Sequence, residues 1–144
     1  MNEWNSHRFT DRCGRTSSGQ QRPAILRNCL LYGDLPSDRA DTQNCSNACG
    51  HGYIVAIPEI YHEFEAAGTV LAYDQAGSDR GNVLKTTKEL ASFDADPRAA
   101  LDYLVSRSDC TGRLGAVGIC IGGHLAFRAA MNPDVLGAAC FVLP

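Results

Sequence analysis

Leu114-Gly115-Ala116-Val117-Gly118-Ile119-Cys120-Ile121-Gly122-Gly123-His124 decides how this 144-residue chain reads. The small and apolar residues up to Ile119 suit a buried strand, and the alanine-rich run 125–130 suits a helix that starts without a linker. Between them stands Gly118-x-Cys120-x-Gly122, the pattern of a sharp strand-to-helix elbow that lifts one nucleophilic side chain clear of the backbone. The commoner version carries Ser at the centre; here it is Cys. Glycines flank the position because side chains there would collide at the tight turn. A thiol so perched lies at the positive end of the following helix, where the field favours the reactive thiolate. The competing reading is a core cysteine in a chance match, since cysteine is often buried. A strand before and a helix after are what the elbow requires, and they favour the nucleophile.

The same alternation extends outward. Residues 53–57 form a short apolar run ended by Pro58, as expected of a strand buried on both faces. Residues 61–80 are polar and read as a loop over the carboxyl ends of the strands, and residues 82–90 as a helical turn or two. Asp96-Pro97 reads as a helix cap followed by proline at the first helical position. Ala100, Leu101, Leu104 and Val105 then supply a helical apolar stripe up to about Arg107. The helix after the elbow stops near Asn132-Pro133, and residues 135–143 predict one more buried strand. Strands alternating with helices give an α/β class, a parallel sheet with flanking helices and its site at the strands' carboxyl ends.

Residues 1–49 read differently. They are rich in polar residues, with only Ile25-Leu26 and Cys29-Leu30-Leu31 as short apolar patches, so an irregular segment is expected there. A hydrophobic content of 44% with 20% charged residues is that of a globular domain. A net charge of -3 argues against nucleic acid or an anionic membrane as the main partner. No apolar run reaches the length of a membrane span, and the N-terminus lacks a signal-peptide core, so the expectation is a cytoplasmic protein with no membrane partner. Seven cysteines without repeating spacing do not suggest a disulfide framework. Cys45-x3-Cys49-x-His51 lacks zinc-site spacing, so neither a metal nor another cofactor is expected.

Gly52-Tyr-Ile-Val-Ala-Ile-Pro-Glu59, then Gly68-Thr-Val-Leu71, then residues 114–127 together resemble the dienelactone hydrolase family. The resemblance covers residues 50–141, so 50–144 is expected to be a partial domain of that α/β-hydrolase type. It implies a Cys-Asp-His triad and hydrolysis of a small-molecule ester or lactone through an acyl-enzyme on Cys120. The backbone N–H of Ile121 would be one oxyanion donor. Because the family uses an Arg from the loop region, Arg80 is the candidate contact for a substrate carboxylate; a solvated surface side chain is the alternative. The family's Asp and His follow the nucleophile in chain order. Here the last acid is Asp134, beside Pro133, and no histidine follows His124. His124, one turn down the helix from Cys120, reads as a packed helix residue, and Glu59 as loop-forming.

The resemblance also implies an upstream strand followed by a thiol-controlling Glu. Back-translated residues 33–43, read one nucleotide later, permit Glu-Ile-Tyr-Gln-Val-Thr-Gly-Pro-Ile-Arg-Arg, which looks like that segment. The expectation is a truncated member with a divergent or out-of-frame N-terminus, lacking a central strand and prone to aggregate through the exposed edge. Three functions stay open: a thiol hydrolase impaired in turnover, an inactive fragment that binds through its sheet edge, and a redox-reactive cysteine protein.

Overall fold

The computed structural model describes residues 9–11, 27–33, 40–66, 68–72 and 74–141. In chain order its elements are β1 (Phe9–Asp11), β2 (Arg27–Gly33), α1 (Ala40–Gly50), β3 (Ile54–Pro58), α2 (Gln75–Thr87), α3 (Leu90–Ser106), β4 (Cys110–Ile119), α4 (Ile121–Ala129) and β5 (Val135–Phe141). The strands make one sheet in the order β1-β3-β2-β4-β5. β1 runs antiparallel to β3, and the other three pairings are parallel.

The central strand is therefore present, against expectation. β2 lies between β3 and β4, with Leu30 opposite Val55 and Gly115, and Leu31 opposite Ala56 and Ala116. The N-terminal segment is not irregular at residues 27–33 or 40–49. Only Cys29-Leu30-Leu31 advertised β2, and its place between β3 and β4 is a long-range pairing that no local pattern announces. α1, Ala40–Gly50, escaped notice because it has almost no apolar stripe: Cys45 is fully buried against Val55.

Side chains alternate across the sheet. On one face Ile54 and Ala56 of β3 and Leu114 and Ala116 of β4 pack against Ala100, Leu101 and Leu104 of α3 and Ala126 and Ala129 of α4. Each fully buried leucine there contributes about 1.5–3 kcal/mol over an exposed one. Val55 and Val117 face the other way, toward α1. A second cluster joins Ile60 and Tyr61 after β3, Leu84 of α2, Phe93 of α3, and Ile121 and Leu125 of α4. That cluster seats the start of α4.

Three local expectations are corrected. The region 61–80 is not all loop: α2 starts at Gln75, capped by Asp74, whose Oδ1 accepts from the Gly77 N–H at 2.8 Å. Gly77 reads as a loop residue but serves close packing, since a Cβ there would lie 1.9 Å from the Ala72 carbonyl oxygen. Asp96-Pro97 caps nothing; both residues are buried in the middle of α3. Pro97 has no N–H for the Phe93 carbonyl, and the helix continues because tertiary packing outweighs that loss. β5 forms where expected but as an edge strand, with Leu136 69% and Phe141 55% exposed. Cys49 and Cys110 are each disulfide-bonded, which the spacing of the cysteines did not suggest.

Candidate active site

β4 ends at Ile119 and α4 begins at Ile121, leaving one residue for the change of direction. That residue, Cys120, has φ 54° and ψ −117°, the one positive φ outside glycine among the described residues. Such a conformation costs an L-residue about 1–3 kcal/mol and survives only where the surroundings enforce it. Enforcement here is visible. The Cys120 N–H donates to the Phe141 carbonyl at 2.8 Å, and the Gly123 N–H donates to the Cys120 carbonyl at 3.0 Å. A Cβ on Gly118 would fall 1.9 Å from the Gly122 carbonyl oxygen, and one on Gly123 3.1 Å from that of Phe141. Strand and helix thus approach too closely for side chains at the flanking positions. Cys120 itself is exposed.

Ile121 is buried as the first residue of α4, so its N–H has no acceptor within the helix and lies next to the thiol. A cavity of about 360 Å³ opens in front of the elbow, lined by Cys120, Ile121, Tyr61, Leu71, Gly81 and Lys85 among others. Tyr61 is buried, and its pKa is pushed up to about 12 by burial and secondarily by the nearby Cys120 charge. Its hydroxyl donates a long hydrogen bond, 3.5 Å, to the Gly81 carbonyl. The phenol therefore stays protonated across the physiological range.

Arg80 is not brought to this cavity. Its guanidinium faces Glu65, with Nε donating at 2.8 Å and Nη2 at 2.7 Å. The cation on the cavity wall is Lys85. His124 is the packed helix residue expected, its ring 5.1 Å from that of Phe93. Burial, then the Arg128 charge, lower its pKa against the opposing pull of Asp94, so the ring is neutral near pH 7. Asp134 lies at the far end of β5 and holds Arg98 at 3.0 Å. Among the described residues no histidine side chain is hydrogen-bonded to Cys120.

Sequence reasoning missed Tyr61 and Lys85. Tyr61 could have been found, since it follows a strand at the carboxyl edge where α/β sites assemble. Lys85 could not, because nothing in the spacing shows which side of α2 borders the cavity. Also unforeseen is a polar group next to Tyr61, in which buried Lys88 and Asp96 meet His62, Glu63 and Ser92. Among the described residues no three His, Cys, Asp or Glu side chains are grouped to hold a metal ion, and no helix is long and apolar enough to cross a membrane.

A Saccharomyces cerevisiae protein named for carboxymethylenebutenolidase activity is 44% identical over 91 residues, 62% of this chain and 33% of that protein. The fold is similar to that of a Klebsiella pneumoniae protein named as a dienelactone hydrolase, at TM-score 0.68 and 16% identity, covering 94% of this chain and 60% of the other. Acetyl xylan esterase 1 of Thermoanaerobacterium superposes at TM-score 0.60 and 13% identity, over 93% of this chain and 51% of its own. The chain spans one third of the curated relative and a little over half of these solved structures. The sheet with helices on its faces is an α/β-hydrolase fold. Residues 20–142 match the family model described as "Dienelactone hydrolase family", a stretch that takes in β2, the elbow and β5 alike. With its elbow and nearly its whole length accounted for in this way, the chain belongs to the dienelactone hydrolase family.

Proposed function

We propose that Cys120 is the nucleophile of an ester- or lactone-cleaving reaction on a small molecule. The single observation that supports this best is its backbone: a cysteine held at φ 54° between strand and helix, exposed at the mouth of a cavity. Enforced strain at an exposed nucleophile is characteristic of a reactive position.

In this reading the Cys120 thiolate attacks the substrate carbonyl carbon. The oxygen that gains charge is accepted by the Ile121 N–H at the α4 terminus, where the helix dipole adds to the hydrogen bond. Collapse breaks the ester C–O bond, the leaving oxygen takes up a proton from water, and a thioester remains on Sγ. An acidic substrate would direct its carboxylate to Lys85, the cation on the wall, before Arg80, which Glu65 engages. Release of the acyl group requires a base to activate water, and the described residues offer no histidine hydrogen-bonded to Cys120. Where no such base is engaged, acylation would outrun deacylation, since loss of the assisting triad residues costs roughly a thousandfold or more.

The test is pre-steady-state hydrolysis of p-nitrophenyl acetate with intact-mass analysis. One nitrophenolate per chain in a burst, with an acetyl adduct on the Cys120 peptide, is expected. A burst that persists in Cys120→Ala removes the assignment.

A further inference from the structure

Among the described residues the buried charged side chains are Lys88 and Asp96. Asp96, in the middle of α3, has a side chain only 1% exposed. Its Oδ1 is 3.0 Å from His62 Nε2, and its Oδ2 is 3.0 Å from Nζ of Lys88, whose side chain is fully buried. Lys88 caps the end of α2 through its own N–H, and its Nζ also donates to Ser92 Oγ at 2.8 Å and to Glu63. One buried carboxylate therefore ties together three segments: α3, the end of α2, and the turn after β3 that carries His62 and Glu63.

Burying a lysine and an aspartate costs several kcal/mol of desolvation per ion, and apolar residues of equal volume would commonly be as stable or more so. Such a pair is weak as a device for stability. It does fix geometry, because both ions must keep their partners. The geometry at stake is the residue before His62. Tyr61 points into the cluster of Ile121 and Leu125 and forms the cavity wall facing Cys120.

We propose that Asp96 is a positioning residue: through His62, and with Lys88 as counter-ion, it anchors the turn that sets the Tyr61 wall over Cys120, and so determines how large a molecule reaches the thiol. The inference rests on Cys120 being the reactive group of the cavity.

The experiment measures alkylation of the full-length chain by a small reagent, iodoacetamide, and a bulky one, N-phenylmaleimide. Rates are read by mass spectrometry on the Cys120 peptide and normalised to glutathione. His62→Ala cuts the direct link from Asp96 to the turn but keeps the Lys88–Asp96 pair and the Glu63 contacts to Lys88 and Ser92; Asp96→Asn removes the anchor's charge. Both should lower the preference for the small reagent by roughly fivefold, the scale of coupling within one side-chain network. Tyr61→Ala should lower it alike, and His62→Ala added to Tyr61→Ala should change nothing more. A purely structural role predicts independent effects, with size preference moved only by Tyr61→Ala. An unchanged preference in folded His62→Ala, or additivity with Tyr61→Ala, overturns the proposal; should Asp96→Asn fail to fold, the His62→Ala arm decides alone. A Cys120 that resists both reagents in the unmodified chain removes the nucleophile assignment, and this inference with it.

Discussion

Gly118→Ala is the sharpest perturbation of the elbow, because the added atom has nowhere to go. Its Cβ would sit 1.9 Å from the Gly122 carbonyl oxygen, 2.2 Å from the Gly122 carbonyl carbon and 2.8 Å from the Gly123 nitrogen, all backbone atoms. Ordinary contact begins at 3.4 Å, so β4 and the first turn of α4 must separate by about 1.5 Å. Neither can yield by a side-chain rotation. Overpacking of this sort costs about 1–3 kcal/mol. A displacement near 1 Å at a reacting centre costs on the order of 100-fold in rate. Urea denaturation should therefore show a loss in that range, while stopped-flow acylation of Cys120 falls by about 100-fold. Gly137→Ala in β5 is the control: a Cβ there meets nothing within 4 Å, so both stability and acylation should hold. If folded Gly118→Ala acylates at the unmodified rate, the elbow does not depend on this close approach and the reasoning fails.

Relief of strain should work in the opposite direction. Cys120→Gly removes about 1–3 kcal/mol of conformational strain against about 0.5–1 kcal/mol of added chain entropy, so the melting temperature should rise by roughly 2–4 °C while acylation is lost. A lower melting temperature would contradict the strain. Acid should destabilise the fold in two stages, measurable as the urea midpoint against pH. His124 is lowered below its ordinary 6.5, chiefly by burial, so the unfolded chain takes up a proton first and stability falls as pH drops through the imidazole range. Glu63 is raised by burial, but hydrogen bonds from Lys88 and Ser92 outweigh this and hold it below its ordinary 4.5. Its contribution is present above that value and is lost as pH falls through the folded one. His124→Gln should flatten the first stage alone, and an unaltered profile would refute that assignment. At the sheet edge, Leu136→Lys should reduce light scattering on concentration, since a charge on an exposed edge strand opposes strand-to-strand association. Unchanged scattering would mean association occurs elsewhere.

The elbow was legible because its chemistry is local: two glycines, one cysteine, a strand and a helix occupy consecutive positions. β3, α3 and β5 were legible for the same reason, through runs and stripes within one segment. β2 was not, since three apolar residues in a polar stretch become a central strand only once β3 and β4 flank it. The role of Asp96 was hidden more deeply. Asp-Pro is a strong local cap signal, and only the convergence of His62 and Lys88 from distant segments makes the carboxylate a buried anchor. The resemblance points to Arg80 by its place in the chain, which does not tell that α2 turns it toward Glu65 and sets Lys85 on the wall. Long-range partners cannot be read from spacing.

The hydrogen bond from Cys120 N–H to the Phe141 carbonyl joins the strained residue to an exposed edge strand of the sheet. Edge strands open by sub-global fluctuation well before the whole domain unfolds. Each such fraying of β5 frees the backbone at the thiol and lets it relax toward an unstrained conformation. Amide exchange at position 120 should therefore follow the opening of that peripheral strand rather than global unfolding.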